Sequence, residues 1–149
     1  MKVALDTSVL VAALVRAHQH HERAQWWFGQ PASRIQRTAA WHAYAETWST
    51  LTSLPLEPSI PGETARASIG SLRERLRWIT SGAAVYQAAV DRCAQLGLHS
   101  GAVYDALHLV TAEKEEMDLF LTFNVRDFER LAADRSPRIA APPDPPGLP

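Results

Sequence analysis

The sequence predicts an α/β fold in which helices cover both faces of a parallel sheet. Short apolar runs suited to strands recur along the chain, and longer helical segments separate them. Two parallel neighbours need a crossover connection, so strands that alternate with helices favour a parallel sheet over hairpins. The length of 149 residues matches one domain, since a domain typically has about 150 residues.

The composition is that of a self-sufficient globular domain. With 46% hydrophobic residues and a formal net charge of −1, the chain is neither disordered nor a strongly basic nucleic-acid-coating protein. A single cysteine, Cys93, excludes an internal disulfide and indicates a reducing compartment.

No segment approaches about 18 consecutive apolar residues, so no membrane span is predicted. Asp6 interrupts the first apolar run, unlike a signal peptide, and we expect a cytoplasmic protein.

The first third of the chain predicts two strands and three helices. Gly29 and Pro31 stop the second helix, and Pro55 ends the third. The segments are a strand at Lys2–Leu5, a helix from Thr7 to Val15, a helix at His18–Gln30, a strand at Ile35–Ala39 and a helix at Ala40–Leu54.

The rest of the chain predicts four helices and two strands. Gly97 ends the second of these helices, and the Ser100 hydroxyl is expected to cap the third. Residues 142–149 are rich in proline, which excludes a helix or a central strand, so we expect a domain at 1–141 and a disordered or extended tail at 142–149. The segments are helices at Glu63–Ile79, Gly82–Leu96, Ser100–Glu116 and Val125–Ala133, and strands at Leu119–Thr122 and Arg138–Ala140.

Polar residues follow two of the predicted strands directly. Asp6 comes after the first strand and Asn124 follows Leu119–Thr122. Each is suited to cap the next helix, with Asp127 three residues after Asn124 in a capping-box arrangement. Ligands of open parallel sheets bind beyond the carboxyl ends of the strands. If the two strands are neighbours, both side chains therefore face one crevice.

Two further carboxylates lie on predicted helices. Asp105 stands in an apolar run and, with Ser100 as the cap, lies beyond the first turn. An unpaired carboxylate against apolar surface costs several kcal/mol, so pairing, protonation or metal binding is expected. Glu46 lies opposite an apolar stripe, and periodicity alone predicts a solvated glutamate on a polar face. The stripe consists of Trp41, Tyr44, Ala45, Trp48 and Leu51.

A cluster of Asp6, Glu46 and Asp105 would need a cation. Two carboxylates about 4 Å apart repel by roughly 4 kcal/mol at an effective dielectric near 20. Oxygen ligands select hard ions such as Mg²⁺ or Mn²⁺, and Mg²⁺ favours phosphate oxygens. Such a cluster would therefore indicate phosphoryl transfer or phosphodiester hydrolysis.

Four segments in order resemble the PIN-domain ribonucleases, most closely the VapC-type toxins of type II toxin–antitoxin systems. The resemblance spans the chain up to the proline-rich tail. LDTSVLVAAL contains Asp6, AETWSTLTSLP contains Glu46, SGAVYDALHLVTA contains Asp105, and LFLTFNVRDFERL contains Thr122, Asn124 and Asp127.

The resemblance implies a PIN-like three-layer α/β/α fold with a short, mostly parallel sheet. It also implies a Mg²⁺- or Mn²⁺-dependent endoribonuclease that leaves a 3′-hydroxyl and a 5′-phosphate, with Asp6, Glu46, Asp105 and Asn124 as catalytic residues and metal ligands. The fourth acidic position of the family is often Asp, and Asn124 leaves a second metal ion in doubt. Thr122, Asp127 and Arg126 are secondary candidates. The implied partners are an RNA substrate, a cognate antitoxin protein and a second copy in a homodimer.

Alternative functions remain open at this point. Asn124 is also compatible with a catalytically silent PIN module that binds RNA or a protein partner, and a DNA-directed nuclease is a weaker option. A soft-metal site is a minor alternative for His18, His20 and His21, because no acid or cysteine follows them at zinc-like spacing.

Overall fold

The computed structural model describes residues 1–146, and the predicted α/β architecture is confirmed. Five strands form one sheet in the order β3-β2-β1-β4-β5, and all four pairings are parallel. The strands are β1 (Lys2–Leu5), β2 (Gln36–Ala40), β3 (Arg77–Ile79), β4 (Leu119–Leu121) and β5 (Arg138–Ala140). The helices are α1 (Thr7–Leu14), α2 (His21–Gly29), α3 (Trp41–Ser53), α4 (Gly62–Gly70), α5 (Ala83–Gln95), α6 (Ala102–Lys114) and α7 (Val125–Glu129).

The central strands alternate their side chains between two apolar layers, as a strand buried on both faces requires. Val3 and Leu5 of β1 enter a cluster with α1 and α2, whereas Ala4 enters a second cluster with α5 and α6. In β4, Leu121 joins the first cluster and Phe120 joins the second. The result is the expected three-layer α/β/α arrangement.

The sheet places a crevice beside β1. The chain leaves β1 for β2 on one side and later returns to β4 on the other. Such a reversal of strand order separates the loops that follow β1 and β4, and this is where open α/β sheets bind ligands. Asp6 immediately follows β1, and Asn124 stands at the N-cap position of α7 after β4.

The predicted helix over Glu63–Ile79 is confirmed as far as Gly70 and wrong beyond it. The structure ends α4 at Gly70, passes through a turn and forms β3 at the edge of the sheet, paired with β2. Residues in that turn, such as Leu72 and Leu76, are buried among the first apolar cluster. Helical periodicity could not reveal β3, because its three residues gain their structure from pairing with a strand distant in the chain.

The predicted apolar stripe of α3 is also wrong. Leu51 is buried as expected, but Trp41 is 41% exposed and Trp48 is 44% exposed, and the helix buries Ala43 and Thr47 in their place. The aromatic rings lie on the outer surface, where Trp41 stacks on Trp78 at a centroid distance of 5.3 Å. The buried face of α3 is thus the one next to Glu46.

Smaller boundary differences concern caps and the tail. Ser100 does not cap α6: it has a left-handed φ of 54°, and Gly101 occupies the N-cap position. Asp105 therefore lies within the first turn of α6, not beyond it.

Residues 142–146 of the proline-rich tail contain no helix or strand, and 147–149 lie outside the described residues. No helix within residues 1–146 has the length and apolar character needed to cross a lipid bilayer.

Candidate active site

A polar cavity of about 480 Å³ opens at the carboxyl ends of β1 and β4. All four predicted site residues, Asp6, Glu46, Asp105 and Asn124, contribute to its wall, although they come from four separate parts of the chain. The remaining lining comes from α1, from the segment before α2, from α3 and from the loop after β4: Thr7, Ser8, Val11, His18, Gln19, His20, Thr50, Leu54 and Phe123.

Asp6 is both a helix cap and a wall of this cavity. Its Oδ1 accepts the Thr7 backbone N–H at 2.7 Å, and its Oδ2 accepts the hydroxyls of Ser8 at 2.7 Å and Thr122 at 2.8 Å. The residue is 3% exposed. Charged hydrogen bonds of this kind hold a buried carboxylate in a fixed orientation. Capping and ligand binding, which the sequence left as alternatives, are therefore compatible here.

Glu46 is not the solvated residue that periodicity predicted. Its Oε2 accepts a hydrogen bond from the Thr7 hydroxyl at 2.9 Å and another from the Nε2 of His108. Burial opposes ionisation of Glu46, but the hydrogen bond and charge of His108, helped by Thr7 and His42, lower its pKa below the ordinary value. Among residues 1–146, no group donates to Oε1, which leaves this oxygen available to a ligand.

Asp105 carries the least compensated charge of the site. Within the described residues, no protein group donates a hydrogen bond to its carboxylate, although its neighbours in α6 are largely buried. Burial, followed by the charges of Asp6, Glu46 and Asp127, raises its pKa to about 6, against the opposing effect of His108. A carboxylate destabilised in this way is well suited to a cation.

The loop after β4 supplies the remaining candidates. Asn124 is exposed and its side chain makes no capping bond to α7, so the predicted capping box with Asp127 is absent from the described contacts. Thr122 is buried and bridges two parts of the site, since it donates to Asp6 and accepts the Asn124 backbone N–H at 2.9 Å. Asp127 and Arg126 are both exposed on α7, outside the cavity lining.

His108 is a site residue that our sequence reasoning missed. It is 3% exposed, it lies one helical turn after Asp105 and it contacts Glu46. A histidine in the same apolar run as Asp105 also needs a partner when it is buried. The position of His108 in the sequence could therefore have identified it as a candidate site residue. His42, one turn before Glu46 on α3, completes this group with its Nε2 3.8 Å from Glu46 Oε2.

The donor set of the cavity fits a hard divalent cation. Asp6, Glu46 and Asp105 offer oxygens only, and the raised pKa of Asp105 reflects its burial first and then the repulsion by the other two carboxylates. Their ligand atoms do not all lie within 4.8 Å of one another; among residues 1–146, the only trio that does is His42, Glu46 and His108. Contact of one ion with all three carboxylates thus requires bridging water, which Mg²⁺ usually keeps, or a small inward movement.

Comparison with known proteins identifies the family of this chain. The family model for the PIN domain matches residues 3–134. Ribonuclease VapC40 of Mycobacterium tuberculosis is 32% identical over 135 residues, an alignment that covers 89% of this chain and 96% of the relative. Ribonuclease VapC27 of the same organism is 34% identical over 122 residues, covering 78% of this chain and 81% of the relative.

Solved structures share the fold at low sequence identity. VapC20 of Mycobacterium tuberculosis, described as a Sarcin-Ricin loop cleaving toxin, superposes with a TM-score of 0.70 at 17% identity, covering 91% of this chain and 99% of that one. VapBC2 of Rickettsia felis, bound to a promoter DNA fragment, gives a TM-score of 0.68 at 19% identity, with coverages of 95% and 98%. The family match over most of the chain and the similarity to the two curated ribonucleases establish that this protein belongs to the PIN domain family.

Proposed function

We propose that this protein is a divalent-metal-dependent endoribonuclease that acts as the toxin of a type II toxin–antitoxin pair. The single observation that carries the proposal is the convergence of Asp6, Glu46, Asp105 and Asn124 on one cavity at the carboxyl ends of β1 and β4. The similarity to curated proteins named ribonuclease VapC supports RNA as the substrate.

In this proposal Asp6, Glu46 and Asp105 hold Mg²⁺ or Mn²⁺, and Asn124 adds a neutral oxygen. When bound, the cation supplies an activated water and neutralises charge on the phosphate. The chain fixes Asp6 through two backbone N–H groups and two hydroxyls, and it fixes Glu46 through Thr7 and His108. Asp105 has no such donor among the described residues. Its negative charge is therefore uncompensated by hydrogen bonds and available to a cation in the cavity.

The secondary candidates act around this centre. Thr122 orients Asp6 by its hydrogen bond, and through its hydroxyl it also holds the backbone of Asn124. Asp127 adds negative potential near Asp105, as its contribution to the pKa of that group indicates. Arg126 is exposed on α7 beside the same loop, where a guanidinium is suited to bind an RNA phosphate.

The proposed protein partner is a cognate antitoxin. A solved toxin–antitoxin complex from Klebsiella pneumoniae shares the fold of this chain. A cavity walled by three carboxylates attracts a basic side chain, so an antitoxin segment carrying Arg or Lys would compete with the cation. We further propose a homodimer that acts in the cytoplasm.

Metal-dependent cleavage of RNA by the purified protein tests the proposal. Wild type and Asp105→Asn are incubated with RNA in Mg²⁺, in Mn²⁺ and in a chelator, with exposed Asp91→Asn of α5 as the matched control. We expect cleavage by wild type and Asp91→Asn with either ion, and loss of at least about 100-fold in rate for Asp105→Asn. Equal cleavage by Asp105→Asn would overturn the assignment of the site.

The alternatives give different results in the same assay. A silent PIN module would bind RNA without cleavage under every divalent ion, whereas a DNA-directed nuclease would prefer a DNA strand of the same sequence. Asn124 is the feature that favours the silent module, because it removes one negative charge from the cavity. Restored or increased cleavage in Asn124→Asp would then show that cleavage requires this negative charge.

A further inference from the structure

Two histidines, His42 and His108, approach the same carboxylate oxygen of Glu46. His42 and Glu46 lie one turn apart on α3, and His108 reaches them from α6. One nitrogen of each imidazole and one oxygen of Glu46 lie within 4.8 Å of one another. Neither histidine lines the cavity that holds Asp6 and Asp105.

The two oxygens of Glu46 have separate surroundings. Oε2 contacts Thr7, His108 and, at 3.8 Å, His42. Oε1 has no donor among residues 1–146, and Glu46 itself contributes to the lining of the cavity. One carboxylate can therefore serve two neighbouring ligand sites, one through each oxygen.

His42 presents a nitrogen that lacks a partner. Its Nε2 is inaccessible to solvent and forms no hydrogen bond within the part of the chain that the structure describes. The ring is held in place by stacking on Tyr104, with centroids 5.2 Å apart and planes 15° apart. A buried nitrogen of this kind normally finds a donor, an acceptor or a metal ion.

We propose that His42, Glu46 and His108 form a binding site for a transition-metal ion of the Zn²⁺ class, distinct from the site for Mg²⁺ or Mn²⁺. Two imidazoles and one carboxylate are donors that Zn²⁺ accepts readily and that Mg²⁺ does not favour. Three protein ligands leave the fourth position to water, as in open zinc sites.

The geometry requires only a local adjustment. Ligand atoms around one Zn²⁺ lie about 3.4 Å apart, as bond lengths near 2.1 Å in a tetrahedron dictate. The 3.8 Å between His42 and Glu46 is within a few tenths of an ångström of that spacing. His108 and Glu46 must move apart, and the ion takes the place of the proton between them, which is released to solvent.

Cobalt binding by the whole chain tests this site without reference to RNA cleavage. The metal-free protein is titrated with Co²⁺, whose visible absorption reports nitrogen ligands, and Zn²⁺ is then added as competitor. We expect a nitrogen-ligated spectrum that Zn²⁺ removes, and a loss of at least about tenfold in affinity in His42→Ala. His99→Ala, at an exposed histidine, is the matched control and should bind as wild type.

Two more variants separate this proposal from its neighbours. Asp105→Asn should keep the cobalt spectrum, because Asp105 is not in the trio; loss of the spectrum there would place the ion in the carboxylate cavity and overturn the proposal. His20→Ala tests the histidines before α2, and a loss confined to this variant would overturn it as well.

Circular dichroism would show whether a variant fails to fold. For that case, NMR of the histidine side chains in the wild-type protein provides an independent test. Zn²⁺ should shift the imidazole nitrogen resonances of His42 and His108 and leave that of His99 in place. Unchanged His42 and His108 resonances, or a wild-type protein without a nitrogen-ligated cobalt spectrum, would overturn the proposal even if RNA cleavage is intact.

Discussion

The hydroxyl of Thr122 donates a 2.8 Å hydrogen bond to Asp6 Oδ2, and the two residues are 116 positions apart in the chain. Thr122 follows β4 and Asp6 follows β1, so this bond joins the carboxyl ends of the two neighbouring strands. The same hydroxyl accepts the backbone N–H of Asn124. A single buried side chain thus fixes the relative placement of Asp6 and of the loop that carries Asn124.

Replacing Thr122 by Val keeps its shape and removes this bridge. The Asp6 carboxylate loses a buried partner and the Asn124 N–H loses a partly buried one, so we expect the free energy of unfolding to fall by about 1–3 kcal/mol. Urea titration measures this as a lower midpoint with an unchanged slope. Exposed Thr64→Val of α4 is the control and should stay within about 0.5 kcal/mol of wild type.

Asp105→Asn should stabilise the metal-free protein while it removes cation binding. The pKa of Asp105 is raised to about 6 in the folded state from an ordinary 3.8. The ionised carboxylate therefore destabilises the fold above pH 6, and this penalty disappears as the pH falls from 6 towards 3.8.

After allowance for its partial exposure, the penalty amounts to about 1 kcal/mol, or roughly 2–4 °C in melting temperature. Melting of both proteins in chelator at pH 7.5 and near pH 4 measures the difference, which should be present only at the higher pH. A variant less stable than wild type at pH 7.5 would contradict this account of Asp105.

His108→Gln should destabilise the metal-free protein in a limited pH range. Burial opposes the charge on His108, but Glu46, Asp6 and Asp105 outweigh burial and raise its pKa above the ordinary 6.5. Its contribution is complete below pH 6.5 and is lost as the pH rises through the raised value. The lowered pKa of Glu46 adds stability above its ordinary 4.5, which is lost as the pH falls through the lowered value.

The cost of His108→Gln should therefore be largest between pH 4.5 and 6.5, about 1–3 kcal/mol, and smaller near pH 9. Urea midpoints across this range measure it, and exposed His99→Gln provides the reference. A cost that does not vary with pH would indicate that His108 acts through packing alone.

Removal of residues 142–149 should leave the domain folded. Arg23 holds the start of the tail, since its Nε donates to the Pro142 carbonyl at 2.8 Å and pairs with Asp144 at 3.2 Å. The side chain of Asp144 is 75% exposed, and exposed ion pairs contribute about 0–1 kcal/mol. A chain ending at residue 141 should thus lie within about 1 kcal/mol of the full chain in urea titration. A larger loss would show that the domain extends into the tail.

Much of the fold was predictable because local signals and global topology agree in most elements. Apolar runs marked β1 and β4, Asp6 marked the start of α1, and Pro55 marked the end of α3. The failure at β3 has a different origin. That strand is only three residues long and lies at the sheet edge, so its pairing with β2, not its own sequence, decides its conformation.

The sequence by itself determined which residue types stand after β1 and β4, on α3 and in the apolar run of α6: two aspartates, a glutamate and an asparagine in an order that resembles one family. Periodicity misplaced Glu46 because it describes one helix at a time. Only the tertiary structure decided that α3 turns Glu46 towards α6, where His108 contacts one of its oxygens and Glu46 also lines the cavity. The physical reason is that burial and charge pairing arise between elements, and a single element cannot encode them alone.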